Sequence, residues 1–184
     1  LVSNNPPVIA GGLLFVVEEN GLCAYKLEDG TQSWCFDALE MITISGAEGS
    51  NIYVYGSDPV TGTVTVVTLD LATGEELGRL DLGRTSEQSF ACSPVNDGNV
   101  YCAIDETLTT ADLTNNVIEW SKDIDGHGMA PVMMKDTLIV RSDQTIYSMN
   151  TTNGEVNWNI NLPVENDIQP LIFDGKVIVS GGED

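Results

Sequence analysis

Residues 150–163 read NTTNGEVNWNINLP, a turn rich in Asn, Thr and Gly followed by a short strand that carries a tryptophan. Nearly the same phrase occurs three more times. The four aligned copies are EDGTQSW (28–34), ATGEELG (72–78), TNNVIEW (114–120) and TNGEVNW (152–158). Repetition of one turn-and-strand phrase is typical of proteins built from stacked copies of one structural unit.

The spacing of the copies gives the size of that unit. The turn residues Gly30, Gly74, Asn116 and Gly154 lie 44, 42 and 38 residues apart. A second phrase recurs five times, as GGLLFV (11–16), GSNIYV (49–54), DGNVYC (97–102), KDTLIV (135–140) and DGKVIV (174–179). Each unit therefore contains several short runs of Val, Ile, Leu and Tyr between Gly, Asn and Asp turns, which are strand signals.

A period of about forty residues with four strands per unit predicts a β-propeller of four-stranded antiparallel blades. The chain is therefore expected to be all-β. Four residues after each turn stands Trp34, Gly78, Trp120 or Trp158, so the second copy lacks the indole. We expect these three tryptophans to pack adjacent blades together, and other side chains to fill the space at Gly78.

The paired phrases DG-x-V-x-V and L-x-x-x-TG-x-x-x-W resemble the PQQ-like, quinoprotein-type propeller repeat. This repeat occurs in quinoprotein alcohol dehydrogenases and in the lipoprotein scaffold of outer-membrane protein assembly, and the chain resembles the scaffold more than the dehydrogenases. The resemblance covers nearly the whole chain. It implies a ring of seven or eight blades but no particular activity, because one fold serves many functions.

The repeat boundaries divide the chain into four blades and half of a fifth. The predicted blades are 7–38, 42–82, 91–124 and 130–162, and the half blade is 168–184. We interpret residues 1–184 as one partial propeller, completed by more of the same chain or by another chain. A ring of four blades with a loose tail is the alternative.

The charge balance restricts the partners. Seven basic and 28 acidic side chains give a net charge of −21, which disfavours nucleic acid and anionic membranes and favours cations, basic proteins or a high-salt medium. A solvated acidic surface without a binding role explains the balance equally well. The longest uncharged stretch, residues 1–17, is too short and too often interrupted for a membrane span, and no targeting segment can be read.

Four cysteines form two pairs that are local in the sequence. Cys23 and Cys35 flank one turn, and Cys92 and Cys102 flank another, so that each pair would lie opposite across adjacent strands. Disulfides are the favoured interpretation, with buried free thiols as the alternative. Disulfides would indicate an extracytoplasmic location, that is, secreted, periplasmic or in an organelle lumen. The spacing does not suit a zinc site.

The triplet Asn150-Thr151-Thr152 matches the acceptor sequence for N-glycosylation. It falls in the exposed turn before Gly154, where a glycan would not be buried. Together with the cysteines, it favours a secreted glycoprotein.

The resemblance to quinoproteins implies a redox activity as one possible function. Those enzymes hold their quinone with an adjacent-cysteine disulfide, a tryptophan floor and a calcium ion. This chain has no Cys-Cys pair, and its tryptophans occupy the packing position. The resemblance therefore leaves only the non-catalytic half of a PQQ-dependent oxidoreductase as an alternative function.

Other catalytic motifs are not found. His127, in DIDGHGMAP (123–131), has no serine or cysteine motif beside it and is interpreted as a loop residue. Asp123-x-Asp125-Gly126 resembles the start of a calcium loop, but the later ligand positions hold His, Met and Pro. No catalytic, cofactor-binding or metal-binding residue is assigned.

The loops predicted to share one face of the propeller are rich in carboxylates. These residues are Glu18, Glu19, Asp58, Asp105, Glu106 and Asp143 between second and third strands, and Glu40, Glu87, Asp125, Glu165 and Asp167 between blades. This face is predicted to dock a basic protein surface or to hold divalent cations such as calcium loosely. The opposite turns also carry acids, namely Glu28, Asp29, Glu48, Asp97, Asp112 and Glu155, so general acidity or adaptation to high salt stays open.

The sequence thus favours a non-catalytic protein-interaction scaffold with an acidic loop face. We expect it to be part of a larger extracytoplasmic chain or assembly, with either a protein partner or the rest of its own propeller completing it.

Overall fold

The computed structural model describes residues 6–19, 21–86, 89–162 and 169–179, and all that follows concerns these residues. They form β-strands joined by turns, and no helix occurs among them. The predicted all-β class is confirmed.

Four antiparallel sheets of four strands follow one another along the chain. The first contains β1 to β4, at Val8–Ala10, Leu13–Glu18, Gly21–Lys26 and Gln32–Phe36. The second contains β5 to β8, at Glu40–Glu48, Asn51–Ser57, Thr63–Asp70 and Glu76–Arg84. The third contains β9 to β12, at Phe90–Cys92, Asn99–Ile104, Thr107–Asp112 and Val117–Asp123. The fourth contains β13 to β16, at Val132–Met134, Thr137–Ser142, Thr145–Asn150 and Val156–Asn161.

Two more strands, β17 at Leu171–Phe173 and β18 at Lys176–Ile178, pair as an antiparallel hairpin. In every sheet, strands that are consecutive in the chain are neighbours in space. This meander is the arrangement expected of propeller blades.

The repeated phrase forms the same turn between the third and fourth strands of each sheet. Its central residue is left-handed in all four, with φ of 71° at Gly30, 73° at Gly74, 56° at Asn116 and 67° at Gly154. Glycine adopts this conformation without strain and asparagine is among the few other residues that tolerate it. The repeated Gly or Asn is therefore a backbone requirement of the turn.

A β-bulge follows the turn and gives the fourth strand the same register in each sheet. The register shifts between Ala24 and Tyr25 in the first sheet and at the matching place in the other three. The repeat position of the tryptophans is consequently paired with Ala24, Thr68, Thr110 or Ser148 on the third strand.

The described residues divide into two compact units. The first comprises the chain up to Arg84 together with the segments Pro94–Gly98 and Leu113–Asn116. In its core the apolar faces of the first two sheets pack on each other, with Phe15, Leu22 and Leu69 fully buried. Removal of such side chains from water is the main force that stabilises the fold.

The second unit comprises Thr85–Ser93, Asn99–Asp112 and the described residues from Val117 onward. Its core combines Tyr101 and Leu108 of the third sheet with Leu138, Val140 and Met149 of the fourth. Each unit thus buries a pair of sheet faces, which is how blades, unstable alone, stabilise one another.

Candidate functional site

Three of the predicted acidic residues come together in the first unit. Glu18 and Glu19, at the turn between β2 and β3, line a cleft with Glu40, at the start of β5. The cleft has a volume of about 720 Å³, and Asp37 contributes a fourth carboxylate. Asp37 is not among the acids predicted from the sequence, although it lies in the connection between two sheets that leads to the predicted Glu40.

Gly21, at the start of β3, lines this cleft beside the end of β4. A side chain at Gly21 would meet the carbonyl oxygen of Phe36 at 2.2 Å, so only glycine permits the close approach of the two strands. Met41 has a left-handed φ of 51° and is 54% exposed beside the carboxylates. The cleft therefore offers negative charge next to an exposed apolar side chain.

Glu18 has a partner within the same sheet. The Tyr25 hydroxyl donates a hydrogen bond of 2.5 Å to Glu18 Oε1. This hydrogen bond raises the pKa of Tyr25, because a phenolate would lose the bond and lie beside a carboxylate. Glu19 and Glu40 are exposed.

Asp58 stabilises its own turn, and Asp105 holds the segment that follows β8. Asp58 Oδ1 accepts from the amides of Val60 and Thr61 at 3.0 and 2.7 Å and from the Thr61 hydroxyl at 2.9 Å. These bonds, that from the Thr61 amide first, lower the pKa of Asp58. Asp105 accepts from the Thr85 hydroxyl at 2.7 Å and from the Ser86 amide at 2.7 Å. Both carboxylates have a structural role.

The remaining described acids of the predicted face lie in the second unit. The Tyr147 hydroxyl donates to Asp125 Oδ2 at 3.3 Å and accepts from the Asp125 amide at 3.2 Å. Asp143 Oδ1 accepts from the amide of His127 at 3.3 Å. Glu106 is exposed between β10 and β11.

Glu87, Glu165 and Asp167 lie outside the described residues. The structure thus brings Glu18, Glu19 and Glu40 together in one cleft, whereas a continuous acidic face stays a prediction.

His127 lies in the loop between β12 and β13 and lines a second cleft, with a volume of about 410 Å³. Asp143 and Ser89 also line this cleft. In the described part of the chain, no three His, Cys, Asp or Glu residues are grouped so that they could hold a metal ion.

Both predicted cysteine pairs are disulfides. Cys23 and Cys35 face each other across β3 and β4, with an S–S distance of 2.01 Å. Cys92 and Cys102 do so across β9 and β10, with the same S–S distance. The pairing on adjacent strands was expected from the position of each turn, and the alternative of buried free thiols is wrong.

Two of the tryptophans bind the corresponding turn of the next sheet. The Trp34 Nε1–H donates to the carbonyl oxygen of Leu71 at 3.2 Å, and its ring covers Gly74. The Trp120 Nε1–H donates to the carbonyl oxygen of Thr151 at 3.0 Å, and its ring covers Gly154.

Trp158 and Gly78 differ from this pattern. Trp158 is 41% exposed on β16, so its packing role stays a prediction. At Gly78 the other side chains do not fill the space left by the missing indole, because a cavity of about 310 Å³ lies there.

Asn150 ends β15, and its Oδ1 accepts from the amide of Thr152 at 2.8 Å. A glycan would be attached to the side-chain nitrogen, so this turn is compatible with the predicted modification, which stays a prediction. No helix in the described part of the chain is long and apolar enough to cross a membrane.

A family profile described as outer membrane protein assembly factor BamB matches residues 2–160. Among solved structures, the crystal structure of BamB from Moraxella catarrhalis matches with 18% identity and a TM-score of 0.69, over 90% of this chain and 54% of that one. The computationally designed Ika8 protein matches with 12% identity and a TM-score of 0.68, over 93% and 53%. Apo AztD from Citrobacter koseri matches with 15% identity and a TM-score of 0.60, over 88% and 47%.

The chain therefore spans about half the length of the solved structures that it matches. At these identities the likeness shows the fold alone, which is the β-propeller fold of PQQ-like repeats. No curated protein sequence matches the chain.

Proposed function

Because the chain belongs to the PQQ-like propeller family described as outer membrane protein assembly factor BamB, we propose that it is a non-catalytic scaffold that binds other polypeptides in an extracytoplasmic assembly. The family match supports a scaffold of this kind. The disulfides Cys23–Cys35 and Cys92–Cys102 support an oxidising compartment, since such bonds persist outside the cytosol.

The observation that carries the proposal is the acidic cleft formed by Glu18, Glu19, Asp37 and Glu40. We propose that this cleft receives Lys or Arg side chains of a partner. Carboxylates around a recess attract cations and speed their encounter with the surface. The exposed Met41 adds an apolar contact for the aliphatic part of a long basic side chain.

The experiment measures binding of a short Lys- and Arg-rich peptide to the full chain by calorimetry at several salt concentrations. We expect affinity to fall as salt rises, because exposed ion pairs are screened. In the double variant Glu19→Gln/Glu40→Gln, affinity should fall about five-fold, as expected for the loss of two exposed ion pairs.

The matched control is Glu28→Gln/Glu75→Gln, which makes the same charge change at exposed turns of the same unit. Its affinity for the peptide should stay close to that of the parent chain. Equal losses in the two variants would show that overall acidity, and not the cleft, attracts the peptide. Binding that does not depend on salt would contradict the proposal altogether.

Two further measurements separate the alternative functions. If the acidity is an adaptation to high salt, the chain should unfold as sodium chloride is lowered, even without a partner. If the chain is part of a PQQ-dependent oxidoreductase, the natural full-length protein should carry the absorbance of a bound quinone. Calcium binding that is weakened by the cleft variant and not by the control would favour a cation as the ligand.

A further inference from the structure

The first and third sheets share a row of three side chains that runs from the second strand to the fourth. In the first sheet the row is Phe15, Ala24 and Trp34, with Phe15 and Trp34 ring centroids 5.6 Å apart. In the third sheet, the residues at the same positions are Tyr101, Thr110 and Trp120, and the ring centroids are 6.4 Å apart. An aromatic ring, a small residue and an indole thus form a repeated unit of packing.

The second sheet keeps the first two members of the row and lacks the third. Tyr53 is paired with Thr68, and Thr68 is paired with Gly78. The cavity of about 310 Å³ lies at this place and is lined by all three residues. This volume is near the lower end of the range for ligand pockets, which begins at roughly 300 Å³.

The wall opposite Gly78 is the turn Leu113–Asn116, which belongs to the same unit. Relative to the left-handed turn residue, Leu113 holds the position of Leu71 and Thr151, whose carbonyls accept the indole N–H of Trp34 and Trp120. The cavity therefore has two of the features that receive an indole elsewhere in the chain, namely an aromatic side chain, Tyr53, and the turn residue Leu113. The third feature, a turn residue without a Cβ atom, is replaced by Asn116.

Asn116 holds the turn position at which Gly74 and Gly154 receive the rings of Trp34 and Trp120. Its Nδ2 donates to the carbonyl oxygen of Arg79 at 3.2 Å, which ties the turn to β8 without filling the cavity. A Cβ atom on Gly78 would meet nothing closer than Asn116 Oδ1, at 3.8 Å. Atoms can therefore occupy the space above Gly78 at ordinary contact distance.

We infer that this cavity is a binding site for an indole ring supplied by a ligand. The ring lies above Gly78, beside the Asn116 side chain, with its face toward Tyr53 and its N–H toward the Leu113 carbonyl. The ligand is either the tryptophan side chain of a partner polypeptide or a free indole compound. This site does not involve the acidic cleft, so it stands or falls independently of the proposed function.

The test is titration of the ¹⁵N-labelled full chain with indole, followed by NMR. We expect chemical-shift changes centred on Tyr53, Gly78 and Asn116. 1-Methylindole, which has no N–H, should bind about five-fold more weakly, as expected for the loss of one hydrogen bond. Shifts spread over the surface, or equal affinity for the two compounds, would overturn the inference.

Filling the cavity provides the second arm of the test. In Gly78→Trp/Asn116→Gly, which recreates the arrangement of Trp34 and Gly74, indole binding should fall at least about ten-fold, as for a blocked pocket. Gly78→Phe, which keeps Asn116, should have the same effect and serves if the double variant does not fold. Arg84→Trp adds an indole at an exposed position of the same strand and should leave binding unchanged.

The source of the ring is identified with a tryptophan-containing peptide and a matched peptide that has alanine instead. Binding of the tryptophan peptide at Gly78 would support a polypeptide partner. Binding of free indole alone would support a small molecule. If neither probe binds, or if both still bind the filled variant, the inference is wrong.

Discussion

The indole nitrogen of Trp34 donates a hydrogen bond to the main-chain oxygen of Leu71, a residue 37 positions later in the chain. The same ring lies against Gly74, so closely that a Cβ atom there would be 2.5 Å from it. Trp120 repeats both contacts with Thr151 and Gly154. The tryptophan of one repeat therefore recognises the turn of the next, and this requires the turn residue to be small as well as left-handed.

Replacing Gly74 by alanine should destabilise the first unit more than replacing Gly30. Both residues have φ near 70°, so both variants incur the conformational cost of about 1–2 kcal/mol for a left-handed alanine. Only Gly74→Ala also pushes a methyl group into the Trp34 ring, which adds about 1–3 kcal/mol of overpacking. Urea unfolding of the two variants measures the difference.

Gly30 is the matched control because no atom lies within 4 Å of the position of its Cβ. Equal losses in free energy of unfolding would show that the Trp34 contact contributes nothing to the requirement for glycine. The pair Gly154→Ala and Gly175→Ala repeats the comparison, since Gly154 faces Trp120 and Gly175 has no neighbour within 4 Å.

Much of the fold could be predicted from the sequence, because each repeat has its own turn residue and its own strands. The disulfides could be predicted for the same reason, since Cys23 and Cys35 flank one turn and pair across it. Such features depend on residues that are close in the chain.

The repeat predicts that the tryptophans pack adjacent blades together, but it does not predict which atoms they contact. Nothing local to Trp34 indicates that its N–H meets Leu71, and nothing near Gly78 indicates that its place is left open. The partners of the acidic residues could not be predicted from the sequence either. Asp105 looks like a free loop carboxylate in the sequence, yet Thr85 and Ser86, 20 and 19 residues away, donate to it.

Glu48 is a further acid with a structural role that only the fold reveals. Its two carboxylate oxygens accept from the amides of Asp97 and Gly98, at 3.0 and 3.1 Å. Glu48→Ala would leave two main-chain donors without this acceptor and should lower the free energy of unfolding by about 1–3 kcal/mol.

Glu48→Gln keeps one acceptor oxygen. Its free energy of unfolding should therefore lie between the values for the parent chain and Glu48→Ala. Glu75→Ala, at an exposed turn of the same unit, is the control and should change stability little. The role assigned to Glu48 is wrong if its alanine variant unfolds at the same urea concentration as the control.

The two disulfides should differ in their reactivity toward reductants. Cys35 is exposed, whereas Cys92 and Cys102 are 5% and 0% exposed, so a thiol reagent reaches Cys23–Cys35 more easily. Under native conditions dithiothreitol should reduce Cys23–Cys35 first. Timed alkylation followed by peptide mass spectrometry identifies the bond that opens.

In concentrated urea the difference in reactivity should disappear, because burial no longer protects Cys92–Cys102. Each bond closes a loop of 12 or 10 residues, so removing either should cost about 3 kcal/mol of stability. Earlier reduction of Cys92–Cys102 in the native chain would show that burial does not control access here.

Asp70 and Asn150 occupy the same position of the repeated turn and should give it different responses to acid. Asp70 Oδ1 accepts from the amide and the hydroxyl of Thr73, at 2.8 and 2.9 Å, and from the amide of Ala72 at 3.0 Å. These bonds, that from the Thr73 amide first, lower the pKa of Asp70 below its ordinary value of 3.8.

A lowered pKa in the folded chain means that the unfolded chain takes up the proton first as the pH falls. The stabilisation by Asp70 is therefore fully present above the unfolded pKa and is lost as the pH falls from about 4 through the lowered value. Asp70→Asn should be less sensitive to acid in this window, because an amide does not titrate there. Urea unfolding between pH 6 and pH 2 measures the change in slope.

Asn150→Asp is the reciprocal variant and should gain acid sensitivity in the same window. The gain in acid sensitivity should be smaller than the loss of acid sensitivity in Asp70→Asn. In the turn of the fourth sheet, Asn153 holds the position that Thr73 holds in the second, and it provides no hydroxyl donor. The Thr152 amide, which already donates to Asn150 Oδ1 at 2.8 Å, would still favour the carboxylate. If the two variants shift the slope in the same direction, the hydrogen bonds of this turn do not determine its acid response.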